Sequence, residues 1–152
     1  MTKEPNAELL PTVVRRIQFS AGHRIYGHES KCANVHGHNY IALFHARPLS
    51  SLDSLGRVID FSVLKARLGS WIDEHWDHGF LYYSLDVQVK SFFLSELGNQ
   101  LKSFRCAFNP TAEEMAHYLL YTVGPSQLRD TDVVLFKVEL WETENCYAAV
   151  EL

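Results

Sequence analysis

The chain has 152 residues, of which 47% are hydrophobic and 21% charged, with a formal net charge of −4 and a pI near 6.0. This length predicts one domain with a sizeable core, and the composition is that of a soluble globular protein. The acidic balance argues against a nucleic-acid partner, because such proteins usually carry a basic domain. The sequence contains no run of 18 or more apolar residues, so no membrane span is predicted, and no signal peptide is expected. Three cysteines without a secretion signal favour free thiols in the cytoplasm.

The first predicted elements are two strands and a helix. A polar segment, residues 1–12, is expected to be a loose arm ahead of a single domain over 13–152. Alternating apolar residues predict a strand over 13–21, and a second strand is expected over 36–47. Asp60 is expected to cap a helix whose apolar residues recur at helical spacing.

The region from residue 77 to residue 109 carries weaker signals. A short helix is expected over about 87–98, and an extended piece follows it through Phe104 to Phe108. Beyond this region, Thr111 is expected to cap another helix, because Glu114 stands at the capping-box position.

The last predicted elements form a β-hairpin. Residues 131–143 alternate in polarity as a strand does, and residues 145–152 are expected to pair back on them through a short turn. The order strand, strand, helix, helix, strand, strand predicts an α+β fold. Its expected architecture is an antiparallel four-stranded sheet with two helices packed on one face.

Three histidines form the most informative pattern in the chain. His36 and His38 are two residues apart on a predicted strand, so both rings leave the same face, with Cα atoms roughly 6.6 Å apart. His23 ends the preceding strand. Three imidazoles without a fourth protein ligand would make an open zinc site, as catalysis requires. Cys32 could close this site as a fourth ligand, or stay off the metal as a thiolate base.

Five motifs in order resemble the 6-pyruvoyltetrahydropterin synthase superfamily, which includes the bacterial 6-carboxytetrahydropterin synthases of the queuosine pathway. The resemblance spans about residues 13–150 and favours the bacterial branch. It rests on a signature that joins Phe-Ser-Ala-Gly-His at 19–23 to Cys-x-x-x-His-Gly-His-Asn-Tyr at 32–40, and on Val-Ile-Asp-Phe at 58–61, Asp-His at 77–78, Asn-Pro-Thr-Ala-Glu at 109–113 and Trp-Glu-Thr at 141–143.

The resemblance implies a role for each candidate site residue. It implies that Cys32 acts as the base and that His78, oriented by Asp77, shares in proton transfer. It makes Glu142 the anchor of a pterin ring, because a carboxylate can accept two adjacent N–H groups. Thr143 and Thr111 are further candidates for substrate contact, although Thr111 also suits a helix start.

The implied fold is the tunnelling fold, with active sites between the subunits of a homohexamer. The implied reaction converts 7,8-dihydroneopterin triphosphate to 6-carboxy-5,6,7,8-tetrahydropterin, with loss of triphosphate and acetaldehyde. Three alternatives stay open, namely a 6-pyruvoyltetrahydropterin synthase, a zinc-containing pterin-binding protein without turnover, and a zinc hydrolase that uses a metal-bound water. The triphosphate needs cationic partners, and the candidates are Arg15, Arg16, Arg24 and Lys31.

Overall fold

The structure, a computed structural model, describes residues 10–152, so most of the predicted arm lies outside the described residues. A single six-stranded mixed sheet organises this part of the chain. Its strands are β1 (Val13–His23), β2 (His36–Pro48), β3 (Gly79–Tyr83), β4 (Ser103–Cys106), β5 (Val133–Thr143) and β6 (Cys146–Glu151).

The sheet order is β4-β3-β1-β2-β5-β6. The four long strands β1, β2, β5 and β6 pair antiparallel, as the sequence predicts. The prediction of a four-stranded antiparallel sheet is wrong at the other edge, where β3 pairs parallel with both β1 and β4. Residues 79–83 are apolar without alternation, which is typical of a buried parallel strand but carries no period-2 signal.

Three helical segments accompany the sheet. Helix α1 covers residues 61–75, α2 is Val87–Leu94, and α3 covers residues 112–127; α1 and α3 each contain one π-helical stretch, Lys65–Gly69 and Leu119–Val123. The predicted caps are present. The Asp60 side chain accepts a hydrogen bond from the Ser62 N–H at 2.8 Å, and Thr111 accepts one from the Glu114 N–H at 3.3 Å.

The core lies between one face of the sheet and helices α1 and α3. Alternate side chains of the long strands point into it, among them Phe19, Tyr40, Phe44, Val138 and Leu140. The helices contribute a matching apolar stripe that includes Leu64, Leu68, Ile72, Met115 and Leu119. None of the helices within residues 10–152 is long and apolar enough to cross a membrane.

Strand β3, helix α2 and strand β4 form a separate βαβ unit. Leu81 of β3 joins the main core, whereas Phe80 and Tyr82 pack with Val89 and Phe93 of α2 in a second, smaller cluster. Because neighbouring residues of a strand point to opposite faces, α2 lies on the face away from α1 and α3. The short helix expected over about 87–98 is therefore present as α2, but the predicted architecture of two helices on one face leaves out its position on the other face.

Candidate active site

Three imidazoles converge where β1 ends and β2 begins. The antiparallel register places His36 opposite His23 and His38 opposite Ala21, two residues earlier on β1. One ring nitrogen from each of the three histidines lies within 4.8 Å of the other two. The Nε2 atoms of His23 and His36 are 3.0 Å apart. The sheet register thus gathers the three predicted metal ligands at one end of the fold.

Backbone carbonyls fix the orientation of two of these rings. The Nδ1–H of His23 donates to the Pro110 carbonyl at 2.7 Å, and the Nδ1–H of His36 donates to the Asn34 carbonyl at 2.7 Å. A carbonyl can only accept, so each ring carries its hydrogen on Nδ1 and presents an Nε2 lone pair. Two lone pairs facing each other at 3.0 Å repel unless a cation lies between them.

The geometry and the chemistry of the cluster fit a zinc ion. Tetrahedral zinc holds nitrogen ligands at about 2.0–2.1 Å, which puts them roughly 3.3 Å from one another. Three neutral imidazoles are a ligand set that zinc favours, and outer-shell carbonyls of this kind usually orient such ligands. Over residues 10–152, this is the single cluster of histidine, cysteine and acidic side chains close enough to share an ion.

Burial prepares His23 to act as a ligand at neutral pH. Desolvation is the main cause that lowers the pKa of His23 from 6.5 to about 4, and the nearby His36 and His38 lower it further against the opposing hydrogen bond to Pro110. Burial also lowers the pKa of His38. A metal ion therefore does not have to displace a proton from His23 near pH 7.

Glu142 lies beside the imidazole cluster at the end of β5. Its Oε1 is 3.6 Å from the Nε2 of His23 and 3.7 Å from the Nε2 of His38, and a quarter of the side chain is exposed. Burial, the charge of Glu142 and a hydrogen bond to it raise the pKa of Tyr40, so Tyr40 stays a neutral phenol. The carboxylate is thus close to the metal ligands and still accessible to a bound molecule.

Cys32 lies on the loop between β1 and β2, in a short 3₁₀ turn, Lys31–Ala33. Its thiol is partly buried and free, and its sulfur is not a member of the three-imidazole cluster. Its carbonyl accepts the Ile25 N–H at 2.8 Å, which closes the loop on itself. This placement supports the prediction of an open metal site with the thiol held off the metal.

Asp77 and His78 form the predicted carboxylate–imidazole pair. The Nδ1 of His78 is 2.8 Å from Oδ2 of Asp77, and Oδ1 of Asp77 accepts the Ser20 N–H at 2.9 Å. Partial burial raises the pKa of Asp77, but the hydrogen bonds from Ser20 and His78 and the charges of His78 and Lys102 together hold it below its ordinary value. The pair is therefore an ionised carboxylate that orients an exposed imidazole.

A groove of about 710 Å³ lies beside the pair, on the face of the sheet that carries Phe80. Two metal-ligand candidates, His36 and His38, line it together with His78. Its one charged lining residue is Lys102. Because alternate residues of a strand point to opposite faces, the imidazole rings lie on the other face from Phe80, so the cluster and the groove are separate surfaces of one chain.

The remaining candidates have well-defined contacts of their own. Thr111 caps α3, and the Thr143 hydroxyl accepts the Asn145 N–H at 3.2 Å in the β5–β6 turn, so their contact with substrate stays a prediction. Of the predicted triphosphate partners, Arg24 instead pairs with the buried Asp86, with Nε 2.6 Å from Oδ2. Arg16 donates to Gln18 at 3.3 Å. Lys31 stays exposed beside the thiol.

Sequence reasoning missed the residues that support the site. Asn109 accepts the Tyr26 N–H at 2.9 Å and donates to the Tyr26 carbonyl at 2.7 Å, which ties the Cys32 loop to the start of α3. The next residue, Pro110, supplies the carbonyl that orients His23. The Asn-Pro pair stood within a recognised motif, which was the available signal, but its contacts depend on the tertiary fold.

The chain is similar in sequence and in fold to members of one enzyme family. The family model for 6-pyruvoyl tetrahydropterin synthase matches residues 12–152. A 6-carboxy-5,6,7,8-tetrahydropterin synthase from Rickettsia bellii is 35% identical, over 90% of this chain and 96% of its own. A Caenorhabditis elegans 6-pyruvoyl tetrahydropterin synthase is similar in structure, with a TM-score of 0.65 at 26% identity over 100% and 99% of the chains.

A third relative supports the fold alone. Protein WS1659 from Wolinella succinogenes superposes with a TM-score of 0.81 at 23% identity, over 95% of this chain and 99% of its own. The chain therefore belongs to the 6-pyruvoyl tetrahydropterin synthase family and is an enzyme of that family.

Proposed function

We propose that the protein converts 7,8-dihydroneopterin triphosphate and one water to 6-carboxy-5,6,7,8-tetrahydropterin, triphosphate and acetaldehyde, in a zinc-dependent step of queuosine (7-deazapurine) biosynthesis. The observation that carries the proposal is the cluster of three imidazoles, which has one ring nitrogen of each histidine within 4.8 Å of the other two. The choice of the carboxy product is supported by the relatives at 35–37% identity, which bear the name of that synthase.

Glu142 is assigned to hold the pterin ring. A pterin presents an N3–H and a 2-amino group side by side, and one carboxylate can accept both hydrogen bonds. The position of Oε1, 3.6–3.7 Å from two ligand nitrogens, would hold the ring next to the metal site. The hydroxylated side chain of the substrate then lies towards the cluster, and the ring fixes its orientation.

His23, His36 and His38 would hold the zinc ion, which supplies Lewis-acid polarisation of substrate oxygens when bound. The Cys32 thiolate is assigned to take a proton from the substrate side chain. His78 is assigned to move the second proton, with Asp77 holding its Nδ1 and leaving Nε2 free for the substrate. Elimination of the triphosphate follows from this proton removal, because it is the best leaving group present.

The proposed enzyme works as an assembly. We propose a homohexamer of two stacked trimers with active sites between subunits. This assembly would bring Cys32, Glu142 and His78 from neighbouring chains together at each active site. Cations of a neighbouring chain would supply the triphosphate contacts that Arg24, bound to Asp86, does not.

The decisive experiment is mass spectrometry of the products after zinc-loaded protein has been incubated with 7,8-dihydroneopterin triphosphate. We expect 6-carboxytetrahydropterin and acetaldehyde in equal amounts. The matched variant is Cys32→Ala, which should lose turnover by at least about 100-fold while it keeps its zinc and binds the pterin. Cys146→Ala, which removes a thiol in the exposed β5–β6 turn, is the control and should keep full activity.

Other results would select an alternative. A pyruvoyl product would make the chain a 6-pyruvoyltetrahydropterin synthase, like the Caenorhabditis elegans relative. No turnover by fully zinc-loaded protein that still binds the pterin would favour a non-catalytic binding protein. Turnover that is insensitive to both Cys32→Ala and thiol alkylation would favour a hydrolase acting through metal-bound water.

A further inference from the structure

Lys102, an exposed residue just before β4, reaches back to the end of helix α1. Its Nζ donates to the carbonyl of Asp73 at 2.6 Å and to the carbonyl of Asp77 at 2.5 Å. The last carbonyls of a helix lack partners within the helix, and a cation favours the negative end of the helix dipole. Lys102 is therefore a cationic cap on the turn that carries the acid–base pair.

This turn is held in an unusual backbone conformation. His78 has a φ of 56°, and no other non-glycine residue within residues 10–152 has a positive φ. Such a conformation is unfavourable for a residue with a side chain and persists only where the surroundings impose it. The Gly79 N–H donates to the Trp76 carbonyl at 3.0 Å, which closes the turn.

Hydrogen bonds hold both ends of one peptide group in this turn. The peptide that links Asp77 to His78 has its oxygen on Asp77 and its N–H on His78. Lys102 binds the oxygen, and the Ser20 carbonyl accepts the N–H at 2.7 Å. With both ends held, this peptide plane cannot rotate. Its orientation decides how the His78 imidazole meets the Asp77 carboxylate, 2.8 Å away.

We propose that Lys102 is a positioning residue for the reaction, which holds the peptide between Asp77 and His78 so that the His78 imidazole stays in contact with the Asp77 carboxylate. The inference rests on the proposed function and deepens it. Lys102 itself lines the groove beside His78 and Gly79. Two of the three N–H groups on the Lys102 Nζ hold the Asp73 and Asp77 carbonyls. The third N–H has no part in this role.

The charge of Lys102 has a second, separable effect. The charged groups that act on the Asp77 carboxylate are His78 and Lys102, and both favour its ionised form. Removal of the Lys102 charge raises the pKa of Asp77, so the acid limb of the rate profile should move to higher pH. A substitution that only loosens the surface would leave this limb where it is.

The test compares Lys102→Met with Lys102→Arg, and with Lys90→Met as the control. Lys90 lies on α2 and loses the same charge, but it does not line the groove. We expect Lys102→Met to lower kcat by between about 10- and 100-fold with little change in KM, since small misplacements of reacting groups cost this much. We also expect the His78 amide to exchange its hydrogen at least about tenfold faster. Lys102→Arg, which keeps two donors and the charge, should restore both.

Three results would overturn the proposal. Unchanged exchange of the His78 amide in Lys102→Met would show that the peptide is not held by Lys102. A raised KM with unchanged kcat would show that Lys102 binds the anionic part of the substrate instead. Equal effects of Lys102→Met and Lys90→Met on kcat would show that Lys102 acts only through its contribution to the net charge. If the wild type lacks turnover, the proposed function fails, and the amide exchange still decides the role of Lys102.

Discussion

Glu142 is the residue whose position admits two different roles. Its Oε1 is close enough to the Nε2 atoms of His23 and His38 to compete for the fourth position around a metal ion. The proposed function requires instead that this carboxylate accepts hydrogen bonds from a pterin. Both roles use the negative charge of Glu142, but one affects zinc binding and the other affects pterin binding. A single substitution can therefore distinguish them.

Glu142→Gln should weaken pterin binding and leave zinc binding nearly unchanged. A glutamine keeps the shape but offers one acceptor oxygen and an NH₂ group that opposes a donor of the pterin. A lost charge-assisted hydrogen bond costs about 1.5–3 kcal/mol, which is roughly 10- to 150-fold in the Kd of a pterin product measured by fluorescence. Zinc content after dialysis should match that of the wild type. A large loss of zinc with normal pterin binding would identify Glu142 as a metal ligand.

The metal ligands could be predicted from single residues, whereas their supports could not. His36 and His38 share a strand face by parity, and His23 ends the neighbouring strand within a motif of the family resemblance, so spacing and resemblance together predicted the cluster. The carbonyls of Asn34 and Pro110 orient the rings, but every residue has a carbonyl, and its partner depends on the tertiary fold. Lys102 could not be predicted for the same reason, because it donates hydrogen bonds to two backbone carbonyls of a turn that is distant in the sequence.

The loop between β1 and β2 depends on the start of helix α3. Asn109 makes two hydrogen bonds to the backbone of Tyr26, and a salt bridge joins Arg24 of the same loop to the buried Asp86. The loop carries Cys32, so these contacts determine where the thiol lies. A defect in the Asn109 contact should therefore appear at Cys32 without a change at the cluster.

Asn109→Asp should loosen the Cys32 loop. The aspartate still accepts the Tyr26 N–H but cannot donate to the Tyr26 carbonyl, and two oxygens then repel each other. We expect a loss of about 1–2 kcal/mol in the free energy of unfolding by urea and faster alkylation of Cys32 by iodoacetamide, followed by peptide mass spectrometry. Asn99→Asp, at an exposed position, is the control. Unchanged Cys32 alkylation would show that the loop is held elsewhere.

Strands and helices could be predicted where the sequence follows one clear periodicity, and could not where it does not. The long strands alternate, and Asp60 and Thr111 cap their helices, so their positions follow from local chemistry. Residues 79–106 form a compact βαβ unit with its own cluster around Phe93. Its two short strands are apolar or mixed runs, and only the tertiary pairing of β3 with β1 and of β4 with β3 makes them strands.

At the scale of the whole molecule, the sheet leaves surfaces that an assembly would cover. The face opposite α1 and α3 carries partly buried apolar side chains, including Ile41, Leu43 and Trp141. Strand β6 is an edge. Leu152 donates to the Phe136 carbonyl, and Glu151 is opposite Lys137, so the N–H groups of alternate β6 residues, 147, 149 and 151, point away from β5. Such an open edge suits pairing with another chain.

Ala149→Pro should separate assembly from folding. The Ala149 N–H points outward, so proline there removes no hydrogen bond to β5, and edge strands tolerate proline. We expect light scattering after gel filtration to give about six times the 17.4 kDa chain mass for the wild type and a smaller species for Ala149→Pro, with circular dichroism unchanged. The smaller species should also lose turnover, because each proposed site needs residues of neighbouring chains.

Ala148→Pro is the matched contrast, because the Ala148 N–H points towards β5 and its loss breaks the sheet within one chain. That variant should lose stability rather than assembly alone. A wild type that runs as a monomer with full turnover would contradict the proposed hexamer, and so would an Ala149→Pro variant of unchanged mass. The first result would mean that one chain completes the site, with Cys32 and the Asp77–His78 pair acting on the same substrate within a single groove.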